Sequence, residues 1–262
     1  MWRFRDWRRR RVLRRSRLPQ ASWRTLVAGL PVLYGLNRDE LERLRELVIL
    51  FLHEKSLEAA GGLELTEAMR LRIAAQSCLP ILNLGLDYYQ GWVTVIVYPG
   101  GFLARHQYAD SAGIVHTVQR PLIGEAWEQG PLILSWEDIE AASTLTGFNV
   151  VIHELAHKLD MLNGVANGMP PLHATMQVEE WSWVFGTAYE DCCQRLDKGL
   201  ETVLDPYAAE SPAEFFAIVS EAFFEIPGVL NTVYPAVYEQ LRAFYRQDPR
   251  RRLGPWTISH CG

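Results

Sequence analysis

The run 151–160, VIHELAHKLD, carries two histidines four residues apart, with a glutamate directly after the first. Residues four apart in an α-helix differ by about 40° in azimuth and about 6 Å in height, so both imidazoles share one face at a spacing one tetrahedral metal ion can span. Glu154 sits about 100° further round, off the ligand face but beside the place a metal-held water would take. The HExxH order therefore asks for two ligands, a neighbouring base, and a helix to present them. Val150, Val151, Leu155, Leu159 and Leu162 surround the pair. The helix is thus expected inside a core, where paired histidines need a partner, and a metal ion is the commonest one.

A catalytic zinc site needs a third protein ligand, and three routes are open. The continuation HExxHxxGxxH fails, because Asp160 and Asn163 occupy its glycine and histidine positions. A glutamate about twenty residues on is nearly met by Glu179 and Glu180. The third route is Glu214, in YAAESPAEFFAIVSEAFFE. Locally Ser211-Pro212-Ala213-Glu214 also reads as a capping box, with Ser at N-cap, Pro at N1 and Glu at N3. Glu221, two turns later on the same face, competes with it. Spacing alone leaves these alternatives open.

The rest of the chain reads as α+β. NRDELERLRELVILFLHEK from Asn37 and LTEAMRLRIAAQSC after Thr66 have helical periodicity with N-caps. WVTVIVYPGG (92–101), GIVHTVQRP (113–121) and GPLILSW (130–136) are strand candidates, and helices return over 148–164, 211–227 and 236–249. A small mixed sheet between helical segments is expected. We divide the chain into a basic, poorly ordered tail (1–18), a helical N-terminal region (19–90) and a catalytic region (91–262), the last two forming one compact unit.

Charge is unevenly spread. Residues 1–17 hold nine arginines and one aspartate, a net of +8, so the overall −5 leaves −13 on the remainder. A charge run of this kind reads as a solvated terminus, and the acidic body argues against nucleic acid as a partner. The basic opening is not followed by an uninterrupted apolar stretch, so no secretory signal is expected, nor any membrane span. Cys78, Cys192, Cys193 and Cys261 form no CxxC pair and suit a reduced, cytoplasmic chain.

GFNVVIHELAHKLD, followed about fifty residues later by YAAESPAEFFAIVSEAFF, resembles the Mlc titration factor A family of bacterial zinc peptidases. CLPILNLGLDYYQGWVTVIVYPGGF, GIVHTVQR and GPLILSWEDI are similar to it too, so the likeness covers about residues 70–250 and leaves out the arginine-rich opening. That family is in turn similar to the catalytic domain of anthrax lethal factor, a gluzincin. The resemblance implies a zincin-like core with the HExxH motif on the active-site helix. It implies zinc held by His153, His157 and Glu214, with Glu154 catalytic. It implies an additional zinc-binding histidine at His116, and a tyrosine assisting catalysis at Tyr207.

The expected reaction is peptide-bond hydrolysis, with Glu154 as general base, an aminopeptidase being one form of it. If His116 fills the fourth position at rest, the enzyme is inhibited until it moves; otherwise His116 contacts substrate. Asp160 is a candidate acceptor for a ligand imidazole N–H. GPLILSW is a candidate edge strand for substrate. The resemblance also implies binding of the transcriptional repressor Mlc and modulation of glucose phosphotransferase system expression. The alternative is a non-catalytic, repressor-titrating protein with a structural zinc.

Overall fold

The computed structural model describes the backbone over residues 2–100, 104–109, 115–120, 130–142 and 144–254, and side chains over 4–100, 130–142 and 144–254. The chain opens with α1 (Trp2–Arg15), α2 (Gln20–Ala28), α3 (Arg38–Glu54), β1 (Ser56–Ala59) and α4 (Glu67–Cys78). Then come β2 (Thr94–Tyr98), β3 (Ala104–Ala109), β4 (Val115–Arg120), β5 (Leu132–Ser135) and α5 (Trp136–Ala141). The last part is helical: α6 (Val150–Asp160), α7 (Val178–Asp197), α8 (Pro212–Glu225), α9 (Pro227–Val233), α10 (Pro235–Tyr245) and α11 (Pro249–Leu253).

Among the described residues the strands of the expected mixed sheet form two separate units. β1, β2 and β5 form a parallel sheet in that order, with Val95 of β2 opposite Leu57 and Leu132. Among the described residues β3 and β4 pair only with each other, antiparallel. Parallel strands need long connections, and both crossovers supply them: α4 lies between β1 and β2, and the β3–β4 pair between β2 and β5. Val95, Val97, Leu132 and Leu134 are buried, as a covered parallel sheet requires. Among the described strands β5 is an edge, and α6 packs beside it.

Sequence punctuation sets the helix ends. Asn37 caps α3 in a full capping box with Glu40, and Thr66 caps α4 by accepting from the Met69 N–H. One continuous hydrophobic cluster joins the N-terminal helices to the last ones, from Leu18 and Trp23 to Phe244 and Tyr245. Its densest part is aromatic: the Trp181 and Phe185 rings of α7 stack 4.1 Å apart, and Phe216 and Phe244 close on them from α8 and α10.

The opening differs from the solvated tail read from its charge. Residues Trp2–Arg15 form α1, because arginine is a good helix former and this helix has somewhere to dock. Val12 and Leu13 pack against the core. Arg9 meets Glu54 through two hydrogen bonds, at 2.8 and 3.0 Å, and Asp87 at 2.6 Å; Arg5 also reaches Asp87. No described helix is long and apolar enough to cross a membrane.

Candidate metal centre

Two helices buried along their length carry the site. Every residue of α6 is buried, as is α8 from Phe215 to Glu225, and the two pack against each other. Asn149 starts α6: its side-chain oxygen accepts from the Ile152 N–H, while its amide nitrogen donates to Gln76 (2.8 Å) and Glu225 (2.9 Å). Its backbone N–H donates to Glu221 Oε2 at 2.5 Å. Ser211 starts α8 by accepting from the Glu214 N–H at 3.2 Å. That is one half of the capping box, and the Glu214 carboxylate turns to the histidines of α6.

His153 Nε2 and His157 Nε2 lie 3.2 Å apart. Glu214 Oε2 is 3.1 Å from the first and Oε1 is 3.4 Å from the second. Each residue offers one ligand atom to a group that spans no more than 4.8 Å. A tetrahedral ion bound at about 2.0–2.2 Å separates its ligand atoms by about 3.3–3.6 Å, close to the spacing of these three. The donor set of two imidazoles and one carboxylate also suits zinc.

The other nitrogen of His153 fixes its orientation. Nδ1 lies 2.7 Å from Glu221 Oε1. With its proton on Nδ1 donated to that carboxylate, the ring directs the Nε2 lone pair into the Glu214–His157 gap. Burial would raise the Glu214 carboxyl, but the adjoining His153 and His157 imidazoles outweigh it and hold the group well below the usual carboxylate range. Glu214 is therefore an ionised donor, as ligation demands.

Glu154 is buried at 4% exposure and lies outside the metal-capable group. Its charge acts on Lys158 one turn later, opposing the burial that lowers that ammonium; Lys158 Nζ donates to the Gly130 carbonyl at 3.0 Å, just before β5. Tyr207 is half-buried on a single turn, Pro206–Ala209, that packs on α8. His116 lies on β4 opposite Tyr108, and its side chain is outside the described residues. Glu179 and Glu180 are exposed on the first turn of α7, where Glu180 accepts from Gln240; neither joins the histidines.

Two roles differ from those read in the sequence. Glu221 does not compete with Glu214 as a ligand; it grips the far side of His153 and the start of α6. Asp160 does not hold a ligand histidine. Its Oδ2 accepts from the Asn167 and Gly168 N–H groups at 2.8 and 2.7 Å, and burial raises its pKa in spite of them. Asp160 thereby pins the loop after α6 onto the first turn of α8. Gly168 has φ +82°, and a Cβ there would stand 2.5 Å from the Pro212 carbonyl oxygen, so only glycine permits this approach. Asn149, which ties α6 to α4 and α8, was not singled out from the sequence; its signal is an Asn three residues before Ile152 at the head of an apolar helix.

Residues 4–246 match the family described as glucose-regulated metallo-peptidase M90. The match takes in most of α1, so the likeness extends beyond residues 70–250 into the arginine-rich opening. Mlc titration factor A of Yersinia enterocolitica is 40% identical over 239 residues, covering 90% of this chain and 89% of that protein. The proteins of the same name from Yersinia pestis and Yersinia pseudotuberculosis are 41% identical over 242 residues, covering 91% of this chain and 89% of theirs. A match over nearly the whole chain, with a His-His-Glu group at its centre, is conclusive for the family: the chain belongs to the glucose-regulated metallo-peptidases.

Proposed function

We propose that the chain is a zinc-dependent peptidase of the gluzincin type, with His153, His157 and Glu214 as ligands and Glu154 as general base on a zincin-like catalytic region. The observation that carries this reading is the convergence of His153 Nε2, His157 Nε2 and the Glu214 carboxylate at ligand–ligand distances, with a further buried glutamate on the same helix outside that set. Zinc there would supply a Lewis acid that polarises the scissile carbonyl and lowers the pKa of water. Glu154 takes the proton of the attacking water and passes it to the leaving amine. Tyr207 donates to the developing oxyanion. The substrate backbone lies along β5, whose outer edge pairs with no other described strand. His116 acts as a further ligand that holds the enzyme in check at rest. We place the reaction in the cytoplasm, with an aminopeptidase as its expected form.

The printed name of the relatives supports a second role, binding of the repressor Mlc and so modulation of glucose phosphotransferase system expression. A non-catalytic titrating protein needs the metal ligands but has no use for Glu154. Removal of metal by a chelator, followed by zinc readdition under a peptide-library digest, tests the proposal. Cleavage should vanish and return. Cleavage that survives full metal removal would sink the zinc mechanism.

A further inference from the structure

Helix α1 carries a surface that the metal centre does not use. Projected at about 100° per residue, it has two faces. On one, Val12 and Leu13 pack on the core while Arg5 and Arg9 are tied to Asp87 and Glu54. The opposite arc, about 120° wide, holds Phe4, Trp7, Arg8, Arg11, Arg14 and Arg15, all exposed, with no acidic residue among them. Phe4 is 70% and Trp7 50% exposed. Their rings stack 5.9 Å apart, and the Arg11 guanidinium lies over Trp7 at 5.6 Å. Among the described residues the ion pairs of this helix belong to Arg5 and Arg9, so the outer arginines keep their charge for something else.

We propose that this face lays α1 flat on an anionic phospholipid surface, its arginines on headgroup phosphates and Phe4 and Trp7 at the boundary with the acyl chains. The chemistry is that of an interfacial basic helix: arginines interleaved with two exposed aromatics, and low overall hydrophobicity. A nucleic-acid duplex would engage the arginines but leave both aromatics in water, whereas a bilayer interface takes up both kinds of group. Charge complementarity also sets the orientation. The opening seventeen residues carry +8 and the remainder −13, so an anionic surface attracts α1 and repels the body. A single short helix gives weak, reversible attachment.

The test is co-sedimentation of the full chain with vesicles of phosphatidylcholine alone and of phosphatidylcholine with phosphatidylglycerol at about 7:3, a fraction that makes the surface clearly negative. The chain should pellet with the anionic vesicles, not the neutral ones, and added salt should release it. The exposed triple change Arg8→Gln, Arg11→Gln, Arg15→Gln should weaken partitioning by about a hundredfold, given the attraction of each arginine near such a surface. Phe4→Ala with Trp7→Ala should weaken it while keeping the salt dependence. Unchanged melting temperatures would show that both variants stay folded. Absence from the anionic pellet, equal binding to both vesicles, or binding to a DNA duplex but to neither vesicle would each overturn the proposal.

Discussion

Glu221→Gln changes one atom of a buried carboxylate and leaves its volume unchanged. The carboxylate serves two donors at once, His153 Nδ1 at 2.7 Å and the Asn149 N–H at 2.5 Å, and only 1% of the residue is exposed. An amide has one acceptor oxygen to offer them. If that oxygen faces Asn149, the amide N–H group faces His153 Nδ1, which must then accept. The imidazole proton moves to Nε2 and removes the lone pair that a metal would use. If the oxygen faces His153, two N–H groups confront each other at the start of α6, leaving buried donors unmet. In the first case the cost falls on metal binding; in the second a buried hydrogen bond is also lost, at about 1–3 kcal/mol. Loss of the group that orients a ligand histidine lowers metal affinity by about ten- to a hundredfold, or about 1.4–2.7 kcal/mol. Competition against a chromophoric chelator reads the affinity, and thermal melting of the metal-free protein reads the stability. A glutamine variant with wild-type zinc affinity and wild-type melting would refute this role for Glu221.

Other outcomes follow from the same geometry. Glu214→Ala should lower zinc affinity sharply while Glu179→Ala leaves it unchanged; a Glu214→Ala protein with full zinc and a reduced melting temperature would return the residue to capping alone. His116→Ala should lose some zinc affinity while activity on small peptides holds or rises, and a raised KM with unchanged zinc binding would make it a substrate contact instead. Burial pushes the Glu225 carboxyl up to about 8, with the Asn149 hydrogen bond opposing and the Glu221 charge adding to it. The folded chain thus keeps a proton that the unfolded chain releases near 4.5. Stability should therefore fall as pH rises from about 4.5 to about 8, and Glu225→Gln should flatten that slope in pH-dependent unfolding curves. An unchanged slope in the variant would contradict it.

What was legible in the sequence is what one helix decides by itself. The separation of His153 and His157, the place of Glu154 off their face, and the caps at Asn37, Thr66 and Ser211 all follow from a 3.6-residue period. The division of labour between Glu214 and Glu221 does not. Both lie on one face of α8, seven residues apart, and either could be a ligand until the packing of α8 on α6 sets which carboxylate meets Nε2 and which meets Nδ1. Asp160 shows the same limit, since its partners Asn167 and Gly168 lie in a loop whose path depends on Pro212. The helix α7 had a readable signal in Trp181, Val184, Phe185, Ala188 and Cys192, which are buried at helical spacing. Its exposed Val178 and Trp183 blur that pattern. β1 is four residues with only Leu57 buried, too short to carry a period. The arginine run looked solvated because Asp87 and Glu54, which dock it, are far away along the chain.

Glu154→Gln tests the central claim most directly, with zinc content and a peptide-library digest measured on the same preparations as wild type. Glu154 stands outside the ligand set, so the variant should hold zinc as the wild type does. A general base contributes about 10²–10⁴-fold, so cleavage should fall by that order. Equal zinc and a large loss of cleavage is the predicted result. A variant that loses its zinc would show that base and ligand are misassigned, and one that cleaves as fast as wild type would contradict the mechanism.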